Sequence, residues 1–478
     1  MKVVLFAINA SWAHTSLSIR ALRPNLEKHG FEVVLIEKNL KDRTGHILET
    51  LVKENADIYS FSAYIWNVRE MLDLSAALKN ILPSSKIVFG GPEVSFATER
   101  FLSFDWIDAL VCGEGEDILP SLCSKIIHGE SVDRVIYAPT SDTMHNNGTL
   151  YRNSEKGEIL YYESSRGCPF HCAYCLSCND NTLRSKSVEE TIADLKAFEN
   201  LEFDYKIIKF IDRTFNADIN RANAIWEALL SSEFTKSYQF EICASLLNEE
   251  SFDILSRFPK GKIQLEIGLQ STNEKTLKAI GRTQSYKKII YATRRIYDMG
   301  NIHVHLDLIA GLPFETYDSF GKSFDDAYGS CHMLQLGFLK LLYGTPIREK
   351  MEEYEYSCLV NPPYTVLKNK WISFQELQKL SHIAEVFGRY FESGRFAHTL
   401  WYITPFMTSP FKFWEGLTDY ISEKENRPLQ QISQPEAYRH FMNYVINTLN
   451  SDREEVKKYL SIDFYESEHK NPPSFMKV

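Results

Sequence analysis

The chain has 478 residues, a formal net charge of −10 and a pI of about 5.8. This length indicates about two to four domains, and the acidity excludes a broad basic footprint for nucleic acid, though not a local patch. Nine cysteines, three of them in one loop, exclude a disulfide framework and indicate a reducing compartment, so we expect a cytoplasmic protein. No apolar run reaches the roughly 18 residues of a membrane span.

Residues 1–128 alternate short β-rich runs with helical patterns. The apolar run after Met1-Lys2 is short for a signal peptide and indicates a first strand instead. Candidate strands are Val3–Ile8, Val33–Glu37, Ile58–Ser62, Lys86–Phe89 and Ala109–Cys112, with helices near 16–28, 43–54, 66–81, 96–102 and 116–127. Five β-α units of this length predict an α/β domain with a doubly wound, Rossmann-like parallel sheet.

Distinctive loops follow the strands at the edge where such sheets bind ligands. Glycines there let the backbone approach a large ligand closely, and helix N-termini and hydroxyls supply hydrogen-bond donors. One such loop is weak evidence for a ligand site, but four loops at the same edge of the sheet are stronger evidence. The alternative is a sheet that keeps the fold and binds no ligand. The candidate ligand contacts are Ser11, His14, Thr15, Ser60, Ser62, Tyr64, Trp66, Asn67, Gly90, Gly91, Pro92, Glu93, Gly113, Glu114, Gly115 and Glu116.

Residues 129–158 change in character. Turn formers around Pro139 and Gly148 precede a charged run from Arg152 to Glu158. This composition predicts a linker or a small hairpin.

A strand-like run, Leu160 to Ser165, leads into a loop of three cysteines. Cys168, Cys172 and Cys175 have the spacing C-x3-C-x2-C and follow Arg166-Gly167. Thiolates are the usual ligands of iron–sulfur clusters, and so tight a loop can point three sulfurs at one cubane. Three protein ligands leave one iron with an open position, which marks a reactive metal site rather than a structural one.

This stretch resembles the signature of the radical SAM family. The resemblance implies a [4Fe–4S] cluster on Cys168, Cys172 and Cys175, whose open iron takes the amino and carboxylate groups of S-adenosylmethionine. An electron from the cluster then splits the sulfonium and releases a 5′-deoxyadenosyl radical. Tyr174 matches the aromatic residue that the family places just before the third cysteine, beside the adenine.

Two other interpretations of the cysteines stay open. Cys168, Cys172, Cys175 and Cys178 could form a structural zinc site, although zinc sites usually have two C-x2-C pairs separated by a longer loop. Cys178 could also close a four-cysteine cluster. The resemblance favours Cys178 as a bystander.

The first 128 residues resemble the cobalamin-binding domain found upstream of many radical SAM cores, above all at Gly90-Gly91-Pro92-Glu93 and Gly113-Glu114-Gly115-Glu116. The Asp-x-His-x-x-Gly motif that supplies a lower axial histidine elsewhere is absent from the sequence, and His14 lacks its flanking pattern. The resemblance therefore implies bound cobalamin with a displaced nucleotide tail and no histidine on cobalt.

From 159 to 344 the β-α alternation resumes with a longer period. Six units suit the partial (β/α)6, TIM-like barrel that the resemblance implies, since a full eight-unit barrel needs about 250 residues. Candidate strands are Leu160–Ser165, Lys206–Asp212, Gln239–Cys243, Gln264–Leu269, Val304–Ile309 and Gln335–Leu341, with helices near 188–199, 219–231, 249–257, 286–298 and 317–328.

Polar residues at the carboxyl ends of these strands are candidates for binding S-adenosylmethionine. We favour Glu241 on the third strand and Gln270 after the fourth. Asp212 is expected to anchor its own loop. His303 and His305 alternate on one strand and so share a face; such a pair is a weak metal signal, and we favour packing.

Residues 345–478 lose the β-α rhythm and predict a mainly helical domain. Ser373-Phe374-Gln375-Glu376 has capping-box spacing and opens a helix of 3.6-residue period. Later helices are expected near 434–449 and 452–460. The aromatic-rich stretch from 396 to 414 could line a substrate pocket, but we favour its interpretation as ordinary helical core. The whole layout resembles a subgroup of cobalamin-dependent radical SAM proteins with a helical C-terminal extension.

The resemblance implies an enzyme with a [4Fe–4S] cluster, S-adenosylmethionine and cobalamin as cofactors. The commonest reaction of the class that this chain resembles is methylation of an unactivated carbon. The expected partners are an unknown organic substrate and an electron donor such as flavodoxin or ferredoxin. The sequence does not distinguish a lipid, a peptide, a modified nucleoside or a small metabolite.

Three alternative functions stay open. The cobalamin could assist a rearrangement, cyclisation or oxidation without methyl transfer, or the chain could be a non-catalytic cluster- or cobalamin-binding sensor. A methylthiotransferase would resemble this chain in the barrel but would use three further cysteines in its N-terminal domain. Only Cys112 and Cys123 precede the cysteine loop.

Overall fold

A computed structural model describes residues 1–141, 144, 148–152, 157–180, 182–202 and 205–476. Parts of the predicted linker, at 142–143, 145–147 and 153–156, therefore lie outside the described residues. The chain forms two compact units. The first comprises Met1–Leu265, Lys340–Lys350 and Leu359–Thr365, and the second comprises Glu266–Leu339, Met351–Cys358 and the chain from Val366 onwards.

The first unit begins with a six-stranded parallel sheet of strand order β2-β1-β3-β4-β5-β6. Its strands are β1 Lys2–Asn9, β2 Glu32–Asn39, β3 Ile58–Ser62, β4 Lys86–Gly90, β5 Ala109–Cys112 and β6 Val135–Tyr137. The helices between them are α1 Leu17–Lys28, α2 Thr44–Glu54, α3 Val68–Ile81, α4 Pro92–Phe96, α5 Thr98–Phe101 and α6 Gly115–Ile127.

Both faces of this sheet are buried, as a parallel sheet requires. Along β1, Val4, Phe6 and Ile8 belong to one apolar core. Their neighbours, including Val3 and Leu5, belong to a second core on the other face. Near-continuous apolar strands of this kind made the first domain recognisable in the sequence.

Two details of this region differ from the sequence-based expectation. The helix predicted near 96–102 is present as α5 Thr98–Phe101, but a further short helix, α4, precedes it, with Pro92 in its first turn, where a missing N–H costs nothing. Strand β6 lies in the stretch predicted as a linker and pairs with β5. Its three residues carry too little apolar pattern to be seen as a strand.

The first unit continues into a second set of parallel strands. They are β7 Ile159–Tyr162, β10 Ile207–Phe210, β11 Ser237–Ile242 and the beginning of β12 Ile263–Gln270, in that order across the sheet. A short antiparallel pair, β8 Ser165–Arg166 and β9 Arg184–Ser185, stands apart from them. The helices are α7 Val188–Glu199, α8 Ile219–Leu229 and α9 Glu249–Ser256.

The second unit carries β12 onward to its end and adds two neighbouring strands. These are β13 His303–Ala310 and β14 Met333–Phe338, a parallel pair, with helices α10 Glu274–Ala279, α11 Tyr286–Met299 and α12 Tyr317–Ala327. The short helix α13 Pro346–Glu349 belongs to the first unit, and the antiparallel pair β15 Ser357–Cys358 and β16 Val366–Lys368 to the second.

The C-terminal part of the second unit is helical. Its helices are α14 Phe374–Phe387, α15 Ala397–Ile403, α16 Pro410–Lys424, α17 Gln434–Thr448 and α18 Arg453–Glu468. The predicted capping box of α14 is present, with Ser373 and Glu376 bonded reciprocally. Phe396, Phe411, Phe413 and Trp414 are buried, as expected of core, whereas Trp401 and Phe406 are exposed.

The predicted fold class is confirmed: a Rossmann-like parallel sheet comes first, a parallel β/α region follows, and helices close the chain. No helix among the described residues is both long and apolar enough to cross a membrane.

One buried carboxylate caps a helix from another helix. Asp463 on α18 is 2% exposed and accepts the His398 and Thr399 amides of the first turn of α15, each at 2.9 Å, and the Thr399 hydroxyl at 2.6 Å. Phe396, at the N-cap position of α15, has no side chain that could accept them. Asp463 thus replaces the N-cap side chain that α15 lacks.

We expect Asp463→Ala to destabilise the helical region by roughly 2–3 kcal/mol, because buried donors lose their acceptor. The midpoint of thermal unfolding, followed by calorimetry, measures this. Glu466→Gln is the matched control: Glu466 contacts His398 on the exposed surface and should change little. Equal effects of the two variants would contradict the capping role.

Candidate functional site

The cysteine loop is fastened at its start by a buried carboxylate. Asp212, just beyond β10, has no exposed surface. It accepts hydrogen bonds from the Ser164 amide at 2.7 Å, the Ser164 hydroxyl at 2.6 Å and the Ser165 hydroxyl at 2.7 Å. Burial raises the pKa of this carboxyl despite these donors. We expected Asp212 to anchor its own loop; it holds the segment that enters the cysteine loop instead.

The backbone entering the loop has room for glycine alone. Gly167 has φ +92°, and a Cβ there would overlap the Thr182 carbonyl oxygen. Strand β7 ends at Tyr162 rather than at the predicted Ser165, and Ser165–Arg166 form β8, which pairs with β9. Cys168 is next in the chain, with its sulfur 3.5 Å from the Thr214 hydroxyl.

The cysteines sit in a compact series of turns. Cys168 and Cys172 are buried, and Cys175 and Cys178 are half-buried. The Cys175 amide donates to the Cys172 carbonyl at 3.0 Å, and the Cys178 amide donates to the Cys175 carbonyl at 3.3 Å. The far side of the loop is held by the Ile347 amide, which donates to the Ala173 carbonyl at 2.9 Å.

All nine cysteines are free thiols. Within the described part of the chain, no three His, Cys, Asp or Glu side chains gather as they would around a single metal ion. The zinc alternative needs such convergence. A cubane binds each thiolate through a different iron, so its ligands need not meet at one point.

The residues predicted to contact S-adenosylmethionine lie in both units. Tyr174 and Glu241 are half-buried in the first unit, and the Glu241 carbonyl accepts the Phe215 amide at 2.9 Å. In the second unit, Gln270 is 8% exposed with φ +71°, and its side-chain oxygen is buried without a hydrogen-bond partner. A buried acceptor of this kind costs free energy unless a ligand donates to it, which supports a ligand contact at Gln270.

A cavity of about 680 Å³ opens at the carboxyl edge of the first sheet. Its floor is apolar, with Ala7, Val88 and Val111 from the strands and Leu22 and Leu119 from helices. This volume suits a cofactor-sized ligand. The predicted residues that line it are His14, Thr15, Ser60, Ser62, Tyr64, Trp66, Asn67, Gly90, Gly91, Pro92, Gly113, Glu114, Gly115 and Glu116.

Hydroxyl groups form part of the cavity wall. The Ser18 oxygen lies 3.0 Å from that of Ser62 and 3.1 Å from that of Ser16, and Ser60 also lines the cavity. Ser16 and Ser18 were missed in the sequence, although they directly follow the first loop. Hydroxyls can donate to or accept from amide groups of a ligand.

Aromatic rings stand at the same wall. Tyr64 and Trp66 stack with centroids 4.4 Å apart, and Trp66 is 45% exposed. Asn67, in contrast, is fully buried: it donates to the Ile8 carbonyl at 3.0 Å and to the Ser62 carbonyl at 3.1 Å, and accepts the Tyr64 amide at 2.8 Å. Asn67 therefore fixes the loop that presents the rings.

Two lining residues of the first loop are engaged with β7. His14 Nδ1 lies 2.6 Å from the Tyr161 hydroxyl, and burial followed by the charge of Lys209 lowers the pKa of His14. Thr15 is buried and donates to the Ile159 carbonyl at 3.0 Å. Both contacts tie the first loop to the strand that enters the cysteine loop.

Two predicted residues do not line the cavity. Ser11 is absent from its wall. Glu93 is buried and accepts the Tyr364 hydroxyl at 2.7 Å, with Arg100 at 3.7 Å. Glu93 therefore has a structural partner far along the chain, which its loop motif could not reveal.

Arg166 joins the cavity to the cysteine loop. Its guanidinium lies 3.0 Å from Glu114, 2.9 Å from Glu116 and 2.7 Å from Glu163, and all four side chains line the cavity. Burial opposes the charge of Arg166, but Glu163, Glu116 and Glu114 outweigh it and raise the Arg166 pKa. Glu114 also pairs with Arg184 on β9.

Family models match three consecutive segments of the chain. A B12 binding domain matches residues 4–123, the radical SAM superfamily matches 162–327, and a protein of unknown function, DUF4080, matches 352–477. The chain therefore contains a B12 binding domain followed by a radical SAM domain. The predicted family and cofactor set, cobalamin, a [4Fe–4S] cluster and S-adenosylmethionine, are thereby confirmed at the level of these domains.

Curated relatives are distant. The cobalamin-dependent radical SAM methyltransferase TokK of Streptomyces tokunonensis is 26% identical over 64% of this chain and 48% of its own length. This chain thus spans about half the length of TokK. An uncharacterized methyltransferase of Pyrococcus horikoshii is 24% identical over 74% of this chain and 81% of its own length. A putative methylthiotransferase of Methanocaldococcus jannaschii is 26% identical over 61% of this chain and 67% of its own length.

Solved structures share the fold. The cobalamin-dependent S-adenosylmethionine radical enzyme OxsB, with aqua-cobalamin and S-adenosylmethionine bound, is 17% identical, and the match covers 98% of this chain and 79% of the OxsB chain, with a TM-score of 0.64. The methyltransferase TsrM of Kitasatospora setae, with cobalamin and a [4Fe–4S] cluster bound, is 15% identical, covers 74% of each chain and has a TM-score of 0.59.

The residues present fit both groups. The cavity of the B12-binding domain combines an apolar floor with a hydroxyl wall, as a large ring with peripheral amides requires. Its glycines are structurally necessary: a Cβ on Gly91, at φ +103°, would lie 2.5 Å from the Ala63 oxygen, and one on Gly113, 2.9 Å from the Ala138 oxygen. In the radical SAM domain, three thiols within eight residues form a soft donor set suited to iron–sulfur ligation.

We expect Cys168→Ala, Cys172→Ala and Cys175→Ala each to abolish the reconstituted cluster, and Cys178→Ala to keep it. The reason is that the first three thiols supply three ligands and leave one iron open. Iron content and the low-temperature EPR spectrum of the reduced cluster, with and without S-adenosylmethionine, measure this. A wild-type spectrum that S-adenosylmethionine does not change, together with such a change in Cys178→Ala, would instead show a fourth thiolate on the cluster.

Arg166→Met should weaken hydroxocobalamin binding by roughly tenfold, since it leaves three carboxylates beside the cavity without their shared cation. Equilibrium dialysis read by visible absorbance gives the Kd. Arg152→Met is the control, because the Arg152–Glu27 pair at 2.7 Å is exposed and outside the cavity. Unchanged affinity in Arg166→Met would refute the role given to this ion network.

Proposed function

We propose that this chain is a cobalamin-dependent radical SAM methyltransferase that acts on an unactivated carbon. The observation that carries the proposal is the shared wall of the cavity. Loops of the B12-binding domain and the residues that enter the cysteine loop line one space and are joined by Arg166. A corrin held there would lie beside the segment that carries the cluster.

The protein's own residues have separable roles. When bound, the cluster with S-adenosylmethionine supplies a 5′-deoxyadenosyl radical, and cobalamin supplies a methyl group. Cys168, Cys172 and Cys175 hold the cluster, and Tyr174 lies in the same loop. Glu241 and Gln270 are proposed to position S-adenosylmethionine. The serine hydroxyls, the Tyr64–Trp66 stack and the glycine loops are proposed to seat the corrin.

Among the described residues, His14 is the histidine that lines the cavity, and its Nδ1 already lies 2.6 Å from the Tyr161 hydroxyl. This agrees with the missing Asp-x-His-x-x-Gly motif. We propose that cobalamin binds with its nucleotide tail displaced and without a protein imidazole on the metal.

The named relatives and the upstream cysteines help to decide between methyl transfer and methylthiolation. TokK and the Pyrococcus protein are named methyltransferases, which favours methyl transfer. The Methanocaldococcus relative is named a putative methylthiotransferase. In this chain the two cysteines upstream of the loop, Cys112 and Cys123, are both buried, and burial raises the pKa of Cys123 to about 12, which disfavours a thiolate ligand there.

The partners of the reaction are an organic substrate and an electron source. One electron must reach the cluster for each radical, so we propose a small donor protein such as flavodoxin or ferredoxin.

The test supplies S-adenosylmethionine with a deuterated methyl group to the anaerobic, cofactor-loaded protein, a reductant and fractionated extracts of the source cells. We expect 5′-deoxyadenosine and a product that carries the labelled methyl group, detected by mass spectrometry. Cys172→Ala, which lacks a cluster ligand, is the control and should give neither.

Other outcomes reject the proposal in distinct ways. 5′-Deoxyadenosine with an unlabelled, altered product would show rearrangement, cyclisation or oxidation. A labelled product that also gains sulfur would show methylthiolation. Absence of 5′-deoxyadenosine with every fraction, from protein whose cluster and corrin are spectroscopically intact, would favour a sensor.

A further inference from the structure

Two short stretches of the later chain pack in the first unit, away from their neighbours in sequence. They are Lys340–Lys350 and Leu359–Thr365, whereas the residues between them and on either side belong to the second unit. We call these two stretches the returning segments. The proposed function uses no residue of either segment.

The first returning segment is fastened to the cysteine loop. The Ile347 amide donates to the Ala173 carbonyl at 2.9 Å, between the second and third cysteines of the loop. The Asn179 side chain, directly after Cys178, donates to the Gly344 carbonyl at 2.9 Å. Neither hydrogen bond involves a thiol, so the segment holds the backbone of the loop and leaves the sulfurs available.

The same segment packs against the helix that lines the cavity. Gly344 has φ +81°, and a Cβ there would overlap the ring of Phe96. Phe96 belongs to α4, which lines the cavity with Pro92, Ser95 and Phe96. Because only glycine fits at position 344, the backbone of the segment lies directly on a wall of the candidate corrin site.

The second returning segment is fastened to the same helix by a buried carboxyl group. Tyr364 is fully buried, and its hydroxyl donates to Glu93 on α4 at 2.7 Å. Arg100 on α5 donates to the Tyr364 hydroxyl and lies 3.7 Å from Glu93. Burial raises the pKa of Glu93 despite these partners. A buried carboxyl group is costly unless it is paired, so Glu93 holds Tyr364 and Arg100 in place.

Aromatic rings and guanidinium groups join the two returning segments to each other. The Arg348 guanidinium lies 3.6 Å from the centre of the Tyr343 ring, and Tyr343 meets the Tyr364 ring edge-on with centroids 5.4 Å apart. The Arg100 guanidinium lies 5.6 Å from the centre of both rings. Such contacts have a defined geometry, so a displacement of one segment displaces the other.

These contacts form one continuous path between the cavity and the cysteines. From α4 the path runs through Glu93 and Phe96 to the returning segments, and from these through Gly344 and Ile347 to the cysteine loop. Since α4 has only five residues, it has little stability as a helix by itself and gains order from the groups that pack on it. Its geometry therefore depends both on the returning segments and on what fills the cavity.

We propose that the returning segments make the corrin site and the cluster site cooperative, with Gly344 and Tyr364 as positioning residues. A ligand against α4 would restrict this helix, and the returning segments would restrict the Ala173 backbone in turn, which holds the cysteines closer to the geometry that a cluster needs. Linkage requires the reverse as well: a bound cluster must tighten corrin binding by the same factor. The inference uses the two cofactors and not the proposed methyl transfer, so the two can fail separately.

The experiment measures hydroxocobalamin binding to the full chain under anaerobic conditions, once with the cluster reconstituted and once with its iron removed by a chelator. Equilibrium dialysis read by visible absorbance gives both Kd values. We expect the cluster-loaded chain to bind roughly tenfold more tightly, within the usual range of coupling between two sites. As a second readout, saturating hydroxocobalamin should slow the removal of iron by the chelator.

Gly344→Ala should bring the ratio of the two Kd values close to one, because a Cβ there forces the segment and Phe96 apart. Gly261→Ala is the matched control. Gly261 has the same φ of +81° in the same unit, and nothing lies within 4 Å of a Cβ at that position. Both variants place a side chain at positive φ, but only Gly344→Ala should change the ratio.

Tyr364→Phe should also lower the ratio, because the ring remains while the hydroxyl that donates to Glu93 is lost. Tyr238→Phe is its control. It removes another fully buried hydroxyl, which donates to Glu199 at 2.8 Å and belongs neither to the cavity wall nor to the returning segments. Should Gly344→Ala fail to retain the cluster, Tyr364→Phe decides by the same criterion.

Four results would overturn the proposal. The first is an equal Kd for the wild-type chain with and without the cluster, which would show independent sites. The second is a ratio that neither Gly344→Ala nor Tyr364→Phe lowers, which would assign the coupling to other contacts, such as those of Arg166. The third is an equal loss in the two control variants, which would indicate general destabilisation. The fourth is a wild-type chain that binds no hydroxocobalamin, which would reject the corrin site as well.

Discussion

The first unit depends on one guanidinium group. Arg166 lies between the loop that follows β5 and the loop that carries the cysteines, and its three glutamate partners all lie within 3.0 Å. These carboxylates, of which Glu116 is buried and Glu114 and Glu163 are half-buried, would repel one another without it. Arg166 immediately precedes Gly167 and Cys168 in the chain, so its ion pairs also hold the backbone that leads to the first cysteine of the loop. The two halves of the candidate site are therefore parts of one electrostatic arrangement.

Local patterns in the sequence predicted much of the fold, for identifiable reasons. Ile58–Ser62 and Ala109–Cys112 are predicted to the residue, because both are short apolar runs bounded by polar or glycine residues. The capping box at Ser373 places the start of α14 in the same way. Three thiols within eight residues identify their own chemistry without any tertiary information. Each of these signals is carried by neighbours in the chain.

Three features that the sequence did not reveal depend on residues distant in the chain. Glu93 belongs to a convincing loop motif, yet its partner Tyr364 lies 271 positions away and removes it from the cavity wall. Asp463 resembles any helical acid until it is seen to cap α15, 64 positions before it. His305 was expected to pack because its strand is apolar in pattern, but its ring nitrogens lie 3.8 Å from Glu266 on the neighbouring strand β12 and 3.2 Å from Asp307 on its own strand. Chain-local reasoning has no access to such pairings.

The charges around Arg166 are held by shared ion pairs. The carboxylates of Glu114, Glu116 and Glu163 meet the guanidinium of Arg166, and Glu114 and Asp180 meet that of Arg184. Desolvating a charge is expensive unless it is paired, so each partner limits where the others can lie. Glu114 contacts both arginines, and it therefore links the loop after β5 to the residues on both sides of the cysteine loop.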